Sequence, residues 1–241
     1  MSFYVIVGAV FLFSLAVQGS LKRTYAKWSR VRNSSDLPGR DVARTILDAN
    51  GMRRVRVELV QGKLSDHYDP RTKEIRLSQP IYEVPSVAAL AISAHESGHA
   101  LQDHLRYGPL KFRTAMAPVA NLGARFGIPA LIAGSLFDTP WLVQVGVIAY
   151  VGALLMQFLT LPVEFNASRR ALAQLESLNL MSEAEKEGAQ KVLRAAAMTY
   201  VAGVASAAGY IVYLLLAAGR LLMRRPPAAP PSVPPAGTSG A

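Results

Sequence analysis

The chain contains no cysteine and only four histidines in 241 residues. Without thiols there is no disulfide and no Cys-ligated metal site, so any bound metal must be held by His, Asp or Glu. Acidic residues are scarce too, 16 against 26 Lys and Arg, giving a net charge of +10. Charged residues of both signs make up 17% of the chain while apolar residues make up 51%. That balance excludes a solvated disordered chain and is high in apolar content for a soluble domain of this length. There is no internal repeat. The first apolar run also lacks a positive n-region, because Met1-Ser2-Phe3-Tyr4 has no cationic side chain. A cleaved signal peptide is therefore disfavoured and a retained anchor is expected.

What is abundant is apolar residues in long runs. Residues 3–19, 115–137, 141–162 and 199–219 each approach the ~20 residues that cross a bilayer, the second interrupted by Arg125. Four transmembrane helices are expected. The basic residues then sort by membrane side rather than marking nucleic acid. Lys22, Arg23, Lys27, Arg30 and Arg32 follow the first run, and Arg169, Arg170, Lys186, Lys191 and Arg194 follow the third. The loop Phe137-Asp138-Thr139-Pro140 has no Lys or Arg. The positive-inside rule places both basic regions in the cytoplasm. Arg220, Arg224 and Arg225 oppose this arrangement, being on the outer side of a four-span chain. A multi-pass protein of the cell membrane with a cytoplasmic site is expected.

The chain divides into an N-terminal anchor (1–21), a polar unit (22–113), a transmembrane hairpin (114–162), a helical segment (163–197), a last span (198–223) and a Pro-rich tail (224–241). Within the polar unit, Val42, Ile46 and Leu47 have helical spacing, with Pro38 before them and Gly51 after. Val55-Arg56-Val57-Glu58-Leu59 and Glu74-Ile75-Arg76-Leu77-Ser78 alternate as strands do, and Tyr68–Thr72 reads as a turn. The strand over 73–78 is read either as an exposed edge to which a peptide substrate could add or, equally, as an ordinary strand of the sheet. Ser86 can cap a helix over about 87–105. Pro162 precedes a helix beginning near Glu164, and Ser182-Glu183-Ala184-Glu185 is a capping box. The fold class is a mainly α integral membrane protein, with a small α+β zincin-like unit carrying the motif described next.

Chemistry concentrates at His95-Glu96-Ser97-Gly98-His99. On a helix, residues four apart face the same side, so the two imidazoles can grip one zinc ion. Glu96 lies about 100° round and can reach a water at the metal without being a ligand. There it can act as general base and then as general acid. A chance His-Glu-x-x-His in such a chain is expected on the order of one time in a hundred or less. Gly98 and Ala94 allow another element to approach closely.

Two histidines leave a third ligand to find. The metzincin spacing would need Gly at 102 and His at 105, where this chain has Gln102 and Leu105. His104 is about 140° round the helix from His99. His67 lies in a turn and could swing in. Glu164 is the stronger candidate, because the transmembrane hairpin returns it to the membrane face where His95 and His99 lie. Its alternative partner is Arg169. Arg125 is expected to face a protein interior, to pair with Glu164 or a polar group, or to snorkel. Gly123 and Gly127 suit close helix packing, internal in preference to a dimer contact. Tyr68, Arg169 and Arg170 are candidate transition-state or substrate contacts.

Three stretches together resemble the YugP-type neutral zinc metallopeptidases of bacterial membranes. They are Asp66–Pro70, Ala94–Gln102 and Leu161–Ala171. The chain is also similar, more distantly, to HtpX-type membrane proteases, which share the two-histidine helix and a later Glu-x-x-Ala-Asp segment. The resemblance implies one Zn²⁺ per chain, protein or peptide substrates, contact with the lipid bilayer and Glu164 as third ligand. It leaves room for a membrane-protein regulatory partner. Ser168 departs from the acid of that segment, so a residue supporting a zinc-bound histidine is sought among His67, Asp66, Asp69 and Asp103. The competing reading is a membrane scaffold, inactive or not a peptidase, that keeps zinc as a structural element.

Overall fold

Two kinds of helix organise this chain, those that bury their apolar residues against protein and those that turn them outward. The computed structural model describes the backbone of residues 3–222, and side chains at Val5 and over 8–209. The Pro-rich tail expected over 224–241 lies outside the described residues, as do the side chains beginning the anchor and ending the last span. The element order is α1 (Phe3–Trp28), α2 (Gly39–Ala49), β1 (Arg56–Val60), β2 (His67–Asp69), β3 (Glu74–Ser78), α3 (Gln79–Glu83), α4 (Val87–His104), α5 (Gly108–Leu136), α6 (Pro140–Ser177) and α7 (Glu183–Leu222).

Helix α2 presents Val42, Ala43, Ile46 and Leu47 to the core at the i, i+1, i+4, i+5 spacing of one helical face. They pack with Ile75, Leu77, Leu90 and Leu101 in one buried cluster. Helix α4 begins where the Ser86 hydroxyl accepts the Ala89 N–H at 3.1 Å, satisfying one of the orphan donors of the first turn. It is buried along 14 of its 18 residues.

The three strands are ordered β1-β3-β2, with β1 parallel and β2 antiparallel to β3. The strand expected as an exposed edge is therefore the centre of the sheet, paired on both sides and unable to accept a substrate strand. Its polar ends are buried by pairing. Glu74 meets Arg56 and Arg76, and the Ser78 N–H and hydroxyl donate to Asp66 at 2.7 and 3.0 Å. The turn expected over 68–72 sits slightly later. His67–Asp69 forms β2, and the Lys73 N–H closes onto the Asp69 carbonyl at 2.9 Å.

Helices α5 and α6 form a hairpin held by close backbone contact. A Cβ added at Gly123 would lie 2.3 Å from the Ala149 carbonyl oxygen, and one at Gly127 2.9 Å from the Tyr150 Cβ. The two glycines thus serve internal packing. Among the described residues three helices are long and apolar enough to cross a membrane, over Gly108–Leu136, Pro140–Ser177 and Glu183–Gly209. Pro162 does not start a new helix. It lies inside α6, which runs unbroken from the apolar run to Ser177 and so carries Glu164 in mid-helix. Arg125 is exposed, with its guanidinium 5.6 Å from the Phe126 ring, and it is not the partner of Glu164.

Half of the capping box at Ser182 is formed, the Glu185 carboxylate closing back on Ser182 while the Glu185 N–H bonds the Ser182 carbonyl, and the carboxylate reaches further than its own helix. Glu185 accepts the Ser182 N–H at 2.7 Å and also binds the backbone and hydroxyl of Ser34. It thereby ties the start of α7 to the loop after α1.

Candidate metal centre

The site forms where α4 crosses α6, and a glycine permits the crossing. A Cβ on Gly98 would lie 2.5 Å from the Ala167 carbonyl oxygen, so any larger residue would hold the helices apart. With glycine there, the helices approach closely enough to bring Glu164 over the two histidines. Its Oε2 lies 3.3 Å from His95 Nε2 and 3.5 Å from His99 Nε2. The three donor atoms fall within 4.8 Å of one another. The imidazoles stand nearly perpendicular, 83° apart, with centroids separated by 4.8 Å.

The outer nitrogens of both rings are held. His99 Nδ1 is 3.0 Å from Gln102 Oε1. The Gln102 amide nitrogen donates to the Val163 carbonyl at 2.8 Å and to Asn166 Oδ1 at 3.0 Å. Its oxygen is therefore the acceptor and His99 Nδ1 the donor, which turns Nε2 towards Glu164 and the cleft. His95 Nδ1 contacts the Ser168 hydroxyl at 3.2 Å. The groups orienting the two histidines are thus Gln102 and Ser168. Asp69 accepts the Arg71 N–H, Asp103 accepts the Tyr68 hydroxyl at 2.6 Å and pairs with Lys73, and Asp66 is occupied by Ser78. His67 Nδ1 lies 2.7 Å from the Ser65 carbonyl.

Glu164 is 1% exposed, and a buried carboxylate needs compensation. Arg113 of α5 provides it, with Nη1 3.1 Å from Oε1. The carboxylate is therefore divided, one oxygen on the arginine and the other facing the imidazoles. The arginine is Arg113, not Arg169 or Arg125. Tyr200 of α7 interacts with Glu164 as well.

A cleft of about 260 Å³ opens onto this cluster, lined by His67, Tyr68 and Arg71 on the sheet side and by Arg113, Thr114 and Tyr200 on the helical side. Glu96 lines it beside the histidines, and burial pushes its carboxyl above the ordinary glutamate value. For His99, burial acts to lower the imidazole, but the hydrogen bond to Glu164 and the charge of Glu96 outweigh it and raise it. Burial, then the bond to Asp103, hold the Tyr68 hydroxyl protonated well above its usual range. Arg169 and Arg170 do not line the cleft. Arg169 is exposed, and Arg170 donates from Nε to Asn166 at 2.8 Å.

The donor set is two imidazole nitrogens and one carboxylate oxygen, converging from two helices onto a cleft. Among the described residues no fourth His, Asp or Glu joins the group. Three protein donors and an open position match the zinc sites of hydrolases, in contrast to the four-ligand structural kind. A family model described as "Putative neutral zinc metallopeptidase" matches residues 3–219.

The chain belongs to this family.

It is also 42% identical over 189 residues to a protein of Bacillus subtilis (strain 168) named "Putative membrane protease YugP", covering 78% of this chain and 84% of that protein. No solved structure matches this chain. Family and apolar helices together support a membrane location.

Three residues at this site were not singled out from the sequence. Gln102 enters the sequence reading only as a break in the metzincin spacing, although it follows His99 by three residues on the same helix face. Arg113 and Tyr200 sit where α5 and α7 enter their apolar runs. A polar residue at such a boundary was the signal available for both.

Proposed function

We propose that this chain is a zinc metalloendopeptidase that cuts membrane or membrane-proximal proteins, with His95, His99 and Glu164 as ligands and Glu96 as the proton carrier. The observation that carries the reading is the convergence of two Nε2 atoms and one carboxylate oxygen on the cleft that Glu96 lines. Bound zinc supplies Lewis acidity, bringing the pKa of a coordinated water towards about 7 and polarising a peptide carbonyl.

The protein's own groups do the rest. Gln102 and Ser168 fix the imidazole rings, and Arg113 holds one oxygen of Glu164 so that the other stays aimed at the histidines. Glu96 is buried and its proton affinity is raised, which suits a group that must take a proton from water and give it to the leaving nitrogen. Four spans, counting α1, keep the site at the membrane surface on the cytoplasmic side. Arg113 is the cleft group available to a developing oxyanion, with Tyr68 already donating to Asp103 and Arg169 and Arg170 set aside by their positions outside the cleft.

The test compares wild type with Glu96→Gln in detergent, measuring bound zinc and cleavage of unfolded casein. Both are expected to hold about one zinc per chain, with turnover down by about 10²–10⁴-fold in the variant. Equal cleavage by the two proteins would contradict the mechanism. Zinc binding without cleavage by either would favour the scaffold reading.

A further inference from the structure

We infer that the site has a second, apolar lobe that takes one large aliphatic or aromatic substrate side chain beside the bond to be cut. The inference rests on the peptidase reading and adds a substrate class to it. A cavity of about 200 Å³ shares Asp66, His95, Glu96, Glu164 and Tyr200 with the polar cleft. Its remaining walls include Leu21 and Tyr25 of α1, Ile92 of α4, and Val192, Leu193 and Ala196 of α7.

Helical spacing explains why these residues meet there. Leu21 and Tyr25 are one turn apart. Val192, Ala196 and Tyr200 occupy successive turns on one face of α7, and that ladder ends on Glu164. Ile92 lies one turn before His95 and Glu96 on α4. Each helix therefore carries one stripe that is apolar along the lobe, and on α4 and α7 the stripe ends in the metal cluster. Because Glu96 and His95 line both the cleft and the lobe, a peptide whose carbonyl reaches them lies against the lobe.

The two parts of the site differ in charge. The polar cleft includes Arg71 and Arg113. The titratable side chains lining the apolar lobe include Asp66, His95, Glu96 and Glu164, and no Lys or Arg lines it to receive an acid. An apolar side chain fits the lobe, and a carboxylate finds no cationic side chain there to pair with. The lobe also lies at the margin of two apolar runs, since Leu21 follows the first and Tyr200 begins the last. Its fitting substrate is a segment with a large apolar residue at a membrane boundary.

The test uses the full chain in detergent, zinc-loaded, and measures binding of the hydroxamates of leucine, phenylalanine, glycine and aspartic acid by calorimetry. The leucine and phenylalanine compounds should bind about 10- to 200-fold more tightly than the glycine compound, the range typical of apolar pocket discrimination. The aspartic compound should bind no more tightly than glycine. Ala196→Phe, which fills the lobe, should bring the leucine-to-glycine ratio towards one. If that variant does not fold, the wild-type series decides alone. Equal binding of all four compounds, or an unchanged ratio in folded Ala196→Phe, would overturn the lobe while leaving the metal reading intact. A chain that takes up no zinc would overturn the metal reading and the lobe with it.

Discussion

Helices α4 and α5 follow one another in the chain and are both rich in apolar residues, yet they use them in opposite ways. In α4, 14 of 18 residues are buried, including its leucines at 90 and 101. In α5 only Leu110, Gly123, Gly127 and Gly134 are buried out of 29, while Ile132 and Leu136 are 61% and 74% exposed. One helix is packed by the hydrophobic effect in water. The other exposes its large side chains and buries glycine, the pattern of helices whose surroundings are themselves apolar. The cluster of His95, His99 and Glu164 lies between the two regimes, with its histidines on α4 and Glu164 on the partner of α5.

The contrast is broken most strongly by removing bulk from α4. Leu90→Ala opens a cavity in a fully buried position and should cost about 2–5 kcal/mol, read as a lowered unfolding midpoint in detergent. Gly98→Ala comes next. Its added methyl meets the Ala167 carbonyl, and the forced separation of α4 from α6 should cost about 1–3 kcal/mol and weaken zinc binding in parallel. Ser86→Ala, which removes the cap of α4, should cost about 1 kcal/mol. The smallest effect belongs to the hairpin, where Leu136→Ala should change stability by less than about 0.5 kcal/mol. A Leu136 effect as large as that of Leu90 would mean that α5 is packed by a partner and not by lipid.

The parts legible from sequence were those governed by local rules. The two-histidine helix, its Ser86 cap and the apolar face of α2 follow from spacing alone. The role of β3 did not, because alternation in Glu74–Ser78 is the same for an edge and a central strand. Only the long-range parallel pairing with β1 distinguishes them, together with the ion pairs that bury Glu74. The continuity of α6 through Pro162 was likewise hidden, since proline is read as a boundary although neighbouring helices can sustain it inside an apolar helix. At the site, the departure at Ser168 points to a charged support for the histidines elsewhere, whereas the groups that meet them are the neutral Gln102 and Ser168 itself. Arg113 required knowing that α5 leaves the α4–α6 crossing beside Glu164, which no periodicity contains.

The central claim is that residues 69 positions apart, His95 and Glu164, are ligands of one metal ion. Its most direct test is the zinc content and zinc affinity of Glu164→Gln beside wild type, with Arg113→Gln as a comparison that leaves the carboxylate in place. The account predicts about one tightly held zinc in wild type, a drop of at least about 10-fold in affinity for Glu164→Gln, and a smaller drop for Arg113→Gln. Wild-type affinity in folded Glu164→Gln would contradict it, and would leave Glu164 as the buried partner of Arg113 and nothing more.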